Sequence, residues 1–264
     1  MHTILICEFQ SKLVLTDLLD RTMPGIKKLL SGKNSENLTK DKLSDFVEKY
    51  WHYDNIIKKS ENYFIGDYCR WAKKKRYHAS ETKAKAIYAM ARDGIPTLPS
   101  RAASTKMLTL EAVRVLKEVN RTLETILSQM QELASVLPEY SVVREMKGVR
   151  IILASRLIAE IGDVRRFYSG SALVAFAGID SPPYQSGSFT GAQRKISKRG
   201  SSLLRKTGYE VMKYLKTNKP KEDAAVYLYM IKKSEGKAKK VAKIAALNKF
   251  LRIYYARVAE IYKY

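Results

Sequence analysis

The chain has little of the residue chemistry that metal sites, disulfide frameworks and membrane spans require. Its 264 residues include two cysteines, too few for a disulfide framework and wrongly spaced for zinc. We therefore expect Cys7 and Cys69 to be reduced thiols that pack inside the protein. No run of about 18 apolar residues is present to span a bilayer, and residues 4–7 are too short an apolar stretch for a signal peptide. These absences predict a cytoplasmic protein with no membrane partner.

Several catalytic patterns are also missing. The three histidines, His2, His52 and His78, all lie far from the serine-rich centre of the chain, so a local Ser-His-Asp arrangement is absent. Residues 187–191 have their serine in the wrong place for a nucleophile elbow. Residues 236–237 lack the flanking residues of a phosphate loop. Lipase-type hydrolases and nucleotide kinases are therefore excluded.

Positive charge is what the chain has in excess. It carries 49 Lys and Arg against 26 Asp and Glu, a formal net charge of +23. Residues 194–252 alone hold 18 of the basic and four of the acidic residues, which is +14 of that total. A charge of this size, concentrated in the C-terminal third, predicts a polyanionic partner, and nucleic acid is favoured over a membrane surface.

The hydrophobic periodicity predicts a mainly α fold in three parts: a helical part over residues 1–103, a coiled-coil arm over 104–138 and a helical domain over 139–264. In the first part we expect at most one strand at residues 4–7, followed by a helix over 9–30 that is broken at Pro24–Gly25. A loop over 31–37 then leads to a helix opened by Thr39. A further helix is capped by Ser80 and ended by Gly94. Aromatic and basic residues are interleaved over 51–77, a pattern typical either of a buried core or of a surface that stacks on bases.

The arm has the clearest periodicity. Apolar residues alternate in steps of four and three until Pro138, as in a heptad seam, at Ala112, Leu116, Val119, Leu123, Ile126, Met130, Leu133 and Leu137. So narrow a seam implies a partner helix, either from the same chain or from a second subunit. If the partner helix belongs to a second subunit, the chain forms a homo-oligomer through this coiled coil.

The third part opens with residues 142–163, where Gly148 and the helix after it resemble a helix-hairpin-helix, a module whose turn amides hold a DNA phosphate. Arg150 stands where that module has its second glycine, and a plain helical hairpin fits the same residues. The chain ends in a predicted helix over 237–262 that buries one apolar stripe.

The centre of the third part is the polar segment 175–206. Pro182 and Pro183 interrupt regular structure, and Ser186 stands next to a glycine. Four cations follow within six residues, namely Arg194, Lys195, Lys198 and Arg199, and Ser201 is placed to cap the next helix, whose N-terminus would favour an anion. These residues suit phosphate chemistry, although a solvated basic loop would look the same.

The chemistry that these residues allow is attack of a serine hydroxyl on a phosphodiester, with cations stabilising the charge on the phosphoryl oxygens. Ser186 is the first candidate for the nucleophile and Ser188 the second. Tyr184 could perform the same reaction, but tyrosine recombinases need a dispersed Arg/His set that the chain does not display.

At these residues the chain resembles the transposases of the insertion-sequence one-ten family, the RNA-guided bridge recombinases. The matching stretches are residues 148–167, 173–187, 194–206 and 236–255. The resemblance implies that Ser186 is the recombinase nucleophile and that DNA and a guide RNA are the partners. The residues expected to contact nucleic acid are Arg150, Arg194, Lys195, Lys198, Arg199, Ser201 and Arg205.

One feature of the family has no counterpart in the sequence. Family members begin with an RNase-H-like domain whose acidic residues bind magnesium, whereas no strand carrying a catalytic Asp precedes residue 9 here. We therefore expect a truncated transposase that binds DNA or RNA and does not recombine alone, with no cofactor in this chain and magnesium in the full-length family. A non-catalytic basic helical protein that binds DNA or RNA is the alternative.

Overall fold

The fold is mainly α, as predicted. A computed structural model describes residues 2–30, 40–181, 185–186, 189–190, 195–218, 220 and 223–263. These residues form two compact units, 1–126 and 127–264. None of the helices in these ranges has the length and apolar character needed to cross a membrane. The three-part division at residues 103 and 138 stays a prediction.

Unit 1 is built from helices joined by short connections. Its elements are α1 (His2–Thr22), α2 (Ile26–Leu30), α3 (Lys42–Tyr50), α4 (Asp54–Ile57), α5 (Glu61–Lys74), α6 (Glu81–Asp93) and the first two thirds of α7 (Ala103–Ser135). The predicted break at Pro24–Gly25 is confirmed, because α1 ends before it and Gly25 has a φ of +83°. Ser80 caps α6 by accepting a hydrogen bond from the Lys83 amide, also as predicted.

Three local predictions for unit 1 are wrong. The helix predicted to start at residue 9 starts at residue 2, so residues 4–7 lie within α1, because a four-residue apolar run is compatible with either a strand or a helix. The cap of α3 is Asp41, whose carboxylate accepts from the amides of Leu43 and Ser44, and not Thr39. Cys7 is exposed and does not pack. The loop expected over 31–37 lies outside the described residues.

The aromatic residues of unit 1 form its core. Phe46, Tyr50, Phe64, Tyr68 and Trp71 are buried, with neighbouring ring centroids 4.6–6.5 Å apart. Rings at these distances pack in tilted and edge-to-face pairs that add to the hydrophobic stabilisation. Of the two interpretations of the aromatic segment, the structure supports the buried core.

An ionic cluster centred on Asp67 ties α5 to α3. The Asp67 carboxylate accepts hydrogen bonds from Lys49 Nζ at 2.7 Å, Lys59 Nζ at 3.0 Å and the Tyr50 hydroxyl at 3.0 Å. Burial opposes the charged form of this group, but the three hydrogen bonds outweigh burial and lower the pKa of Asp67 to about 2.

We expect Asp67→Asn to lower the free energy of unfolding at pH 7 by about 1–2 kcal/mol. Because the folded-state pKa lies below the ordinary value of 3.8, this stabilisation is complete above that value and is lost as the pH falls towards 2. Urea unfolding of both proteins at several pH values measures the difference. Asp20→Asn, at an exposed site on α1, is the control. A difference that persists undiminished at pH 2 would show that the charge of Asp67 is not its cause.

The predicted heptad positions of α7 differ in burial along the helix. Leu116 and Leu123 are buried. Near the end of the helix, however, Leu133 is 71% exposed and Leu137, just after it, is 40% exposed. The apolar positions at this end therefore face solvent in the single chain, and the coiled coil stays a prediction.

Unit 2 contains the end of α7 and the remaining elements. These are α8 (Tyr140–Glu145), α9 (Ile151–Ile161), a 3-10 helix (Val164–Arg166), α10 (Gly170–Phe176), β1 (Gln185–Ser186), β2 (Phe189–Thr190), α11 (Ser202–Asn218), α12 (Ala224–Ser234) and α13 (Lys239–Ile261). The predicted last helix is confirmed as α13. It packs against α10, α11 and α12 and buries one side, composed of Ala242, Ala246, Leu247, Phe250, Leu251, Tyr254 and Val258.

A helical hairpin opens unit 2, where the sequence allowed either a plain hairpin or a helix-hairpin-helix. Gly148 in its turn has a φ of +80°, and a Cβ there would lie 2.6 Å from Leu215 of α11. The turn is thus packed closely on α11, and its Val149 amide is already bonded to Met146 O at 3.1 Å. A phosphate contact by the other turn amides stays a prediction.

Candidate functional site

Two segments that flank the Ser186 region are joined by backbone hydrogen bonds. Residues 176–181 end α10 and follow it, residues 195–201 precede α11, and we call this pair the loop base. Amides of the second segment donate to carbonyls of the first: Ser197 to Asp180 at 2.9 Å, Lys198 to Gly178 at 3.0 Å and Ser201 to Phe176 at 2.7 Å. Both flanks of residues 182–194 are therefore held at one place in unit 2.

Two glycines allow the segments of the loop base to approach this closely. Gly178 has a φ of +64°, a conformation that other residues rarely adopt. A Cβ on Gly200 would lie 1.8 Å from the carbonyl oxygen of Phe176 and 2.7 Å from the amide nitrogen of Gly178. Because these neighbours are backbone atoms, no side-chain rotation can make room for a methyl group at position 200.

Ser201 connects the loop base to two helices. Its Oγ accepts a hydrogen bond from the Leu204 amide at 3.0 Å, which makes it the N-terminal cap of α11, as predicted. The same hydroxyl donates to Glu160 Oε2, on α9, at 3.0 Å. The Ser201 side chain is thus committed to positioning α11, and contact with nucleic acid at this residue stays a prediction.

Two further side chains stabilise the loop base. Arg205, one turn into α11, donates from Nη1 to the carbonyl oxygen of Ala177 at 2.9 Å. Ser197 donates its hydroxyl proton to Asp180 Oδ1. Arg205 was expected to contact nucleic acid, and the structure shows it bonded to the first segment of the loop base.

Three of the predicted cations lie together on the second segment of the loop base. Lys195, Lys198 and Arg199 are exposed, while Ile196 between them packs against the core of unit 2. None of the three forms an ion pair within the described part of the chain. Because Ile196 anchors this segment to the core, the three positive charges are held directly after residues 182–194.

The backbone of Ser186 lies in a short antiparallel pair, in which Ser186 is opposite Phe189 and Gln185 is opposite Thr190. The Ser186 side chain is outside the described part of the structure, as are Tyr184, Ser188 and Arg194. The role of Ser186 as nucleophile therefore stays a prediction.

Arg150 is not brought together with the other predicted site residues. It precedes α9, and its guanidinium lies 4.5 Å from the ring centroid of Tyr214, near the end of α11. Glu160 at the other end of α9 contacts Ser201 at the start of α11, so the two helices run antiparallel. At 1.5 Å per residue, Arg150 lies about 20 Å along α11 from the loop base.

The carboxylates that support the loop base could not be recognised from the sequence. Glu160 lies 41 residues from Ser201, and Asp180 lies 17 residues from Ser197. Both acids stand in ordinary helix or loop contexts, and only the tertiary fold joins them to their partners. A further pair that the sequence did not predict, Arg156 with Glu210 at 3.1 Å, joins the middles of α9 and α11.

The carboxylates around the loop base are already hydrogen-bonded to side chains of unit 2. Magnesium is usually held by one or two free carboxylates with several waters, whereas Asp180 and Glu160 each accept a serine hydroxyl. In the described ranges, no group of three or more His, Cys, Asp or Glu side chains could hold a metal ion. We therefore assign no step of the chemistry to a metal at these residues.

Unit 2 is a basic helical domain that fixes both flanks of a Ser-Gly segment and places cations beside it, which defines a domain suited to phosphodiester chemistry. Residues 140–227 match the family described as Transposase IS116/IS110/IS902 family, and this match includes the loop base, Ser186 and the whole of α11. The match extends over residues 140–227 of the 264-residue chain, and over that region it confirms the resemblance. The match supports a transposase or recombinase role for this region, and such a role implies DNA as the substrate. No curated protein matches the chain.

Proposed function

We propose that the chain recombines DNA by using Ser186 as a nucleophile. The observation that supports this most strongly is the loop base, which holds both flanks of residues 182–194 and presents Lys195, Lys198 and Arg199 beside them. A serine on a segment fixed in this way can be oriented towards a phosphate, and orientation lowers the barrier to attack. The cations would stabilise the additional negative charge of the transition state.

The proposed reaction conserves the phosphodiester bond energy. Ser186 Oγ attacks the phosphorus, the bond from phosphorus to the 3′-oxygen breaks, and the 5′-phosphate remains attached to the serine. The serine proton is lost to a base, and the departing 3′-oxygen takes up a proton. Attack by a 3′-hydroxyl of another strand on this ester reverses the step, rejoins DNA and needs no ATP.

We further propose that the reaction depends on an acidic, metal-binding half of the kind that the family carries. The described residues offer no such site, so the base and the metal ligands would come from another part of the machinery. A guide RNA and a second copy of the chain, joined through α7, complete the proposed assembly. The exposed Leu133 and Leu137 are consistent with such a partner helix.

The test of this proposal is to trap the serine ester on nicked DNA. The chain is incubated in magnesium buffer with a labelled DNA carrying a nick next to the cleavage site, with and without the acidic domain of a family member as a separate polypeptide. We expect a labelled band that migrates with the protein on a denaturing gel only when the acidic domain is present. An adduct that forms without that domain would contradict the proposal that the reaction depends on a separate acidic half. Absence of an adduct in every mixture would contradict the proposed function.

A binding protein without chemistry is the second candidate, favoured by the cations of the loop base and by the lack of an acidic cluster in the described ranges. It shares one prediction with the first candidate, namely a steep dependence of DNA affinity on salt. Only the first candidate forms an adduct.

Replacement of the three exposed cations is expected to weaken DNA binding strongly. For Lys195→Gln/Lys198→Gln/Arg199→Gln we expect the slope of log affinity against log salt on duplex DNA to fall by up to about 2.7, because each neutralised phosphate contributes about 0.9. The affinity near physiological salt should fall on the order of a hundredfold. Fluorescence anisotropy at several salt concentrations measures both quantities.

The matched control removes the same charge elsewhere in unit 2, at the exposed residues Lys147, Lys213 and Lys263. The control variant should retain most of the slope. Equal losses in the two triple variants would mean that overall charge, and not the loop base, determines DNA affinity.

A further inference from the structure

A groove of about 500 Å³ lies in unit 2 beside the loop base. Its walls come from α12, from α13 and from the first segment of the loop base, which contributes Ser181. Leu228, Val241 and Ile244 make one part of the groove apolar, and Asn248, Lys249 and Arg252 make the other part polar. Along α13 the apolar residues come first and the polar residues follow. An apolar surface therefore lies next to positive charge within a single groove.

The polar part of the groove has unused hydrogen-bonding capacity. Arg252 Nε donates to Asn248 Oδ1 at 2.9 Å, which fixes the two side chains relative to one another. The remaining N–H groups of both side chains, and the Lys249 ammonium, have no partner in the part of the chain that the structure describes. Among the residues that the structure describes, no carboxylate lines the groove. It therefore offers donors and positive charge to an anion.

The apolar part is unusually accessible. Val241 is 52% exposed although it stands at the mouth of a concave surface. Aliphatic side chains of this kind can pack on the face of a nucleobase only if the base has left its stack, because duplex DNA hides the faces of its bases. An occupant with an exposed base and an adjoining phosphate matches both parts of the groove.

We propose that this groove binds single-stranded DNA next to the Ser186 segment, with an unstacked base on Val241 and Ile244 and a phosphate at Lys249 and Arg252. Ser181 lines the groove and ends the first segment of the loop base, so the groove adjoins the point where the chain enters the Ser186 segment. This inference rests on the proposed function, recombination of DNA, and adds that unit 2 recognises single-stranded DNA.

The experiment measures binding alone, in a Ser186→Ala background that prevents chemistry. Anisotropy is recorded with labelled single-stranded DNA of about 12 nucleotides, with the same sequence as duplex DNA, and with the same sequence as RNA. Val241→Asp introduces a negative charge into the apolar part. Val136→Asp, at a site that is 80% exposed and outside the groove, is the matched control.

We expect Val241→Asp to weaken single-stranded DNA binding about tenfold or more relative to the control, while duplex binding stays within about twofold of it. Lys249→Gln should weaken single-stranded binding by more than Lys213→Gln does. Because Val241 and Lys249 are exposed, both variants should fold, which circular dichroism verifies.

Three results would overturn the proposal: equal losses for single-stranded and duplex DNA, no difference from the controls, or a larger loss for RNA than for DNA. The last result would assign the groove to RNA. The outcome is separable from that of the proposed function, since a selective loss in Val241→Asp supports the groove even if no serine adduct ever forms.

Discussion

Ser186→Ala is expected to abolish the covalent protein–DNA adduct completely while changing the dissociation constant for DNA by less than about twofold. Alanine removes the only atom that would bond to phosphorus, and the charge that attracts DNA is carried by other side chains. Three such side chains, Lys195, Lys198 and Arg199, belong to the loop base and do not depend on a methyl or hydroxyl group at position 186.

Ser188→Ala is the matched control, since it removes a hydroxyl two residues away. The control should form the adduct at a rate within a few-fold of the unmodified protein, in the presence of the acidic domain. Loss of the adduct in Ser188→Ala but not in Ser186→Ala would transfer the role to Ser188. Loss of DNA binding in Ser186→Ala would mean that this residue is structural.

Among glycine-to-alanine substitutions in unit 2, we expect Gly200→Ala to lower the free energy of unfolding most. The added Cβ would meet Phe176 O at 1.8 Å and Gly178 N at 2.7 Å, so the two segments of the loop base must separate. We expect a loss of about 3 kcal/mol in the free energy of unfolding. Displacement of the Ser186 segment by about 1 Å should reduce the rate of adduct formation on the order of a hundredfold.

Gly66→Ala is the control for this substitution. Gly66 lies inside α5, where a Cβ would meet nothing within 4 Å, so alanine should leave the stability unchanged or raise it by about 1 kcal/mol. Urea unfolding and the rate of adduct formation are measured on both variants. A Gly200→Ala protein with unchanged stability and unchanged rate would show that the close contact in the loop base is not required.

Local sequence signals predicted the helices well where a single mechanism decides the structure. The cap at Ser80, the break at Pro24–Gly25 and the apolar stripe of α13 each depend on residues within one or two turns, and all three are confirmed. The predicted start of the first helix, at residue 9, is wrong, because the four apolar residues 4–7 do not distinguish the start of a long helix from a strand.

The sequence identified the candidate segment but not the contacts that support it. The glycines, the cations and Ser201 could be recognised in residues 175–206 because they are close together in the chain. The loop base could not be predicted, since it depends on backbone hydrogen bonds between residues about 20 positions apart and on Glu160, which arrives from α9. Arg150 is predicted to contact nucleic acid because it adds a cation to a turn that resembles a helix-hairpin-helix, but the antiparallel packing of α9 and α11 places it at the far end from the loop base.

The most direct test of the central claim is to identify the atom that carries the DNA. The trapped adduct is digested with nuclease and protease, and the modified peptide is sequenced by mass spectrometry. We predict a single nucleotide attached through its 5′-phosphate to Ser186. Attachment to Tyr184 or Ser188, or attachment through a 3′-phosphate, would contradict the account of Ser186 as the nucleophile.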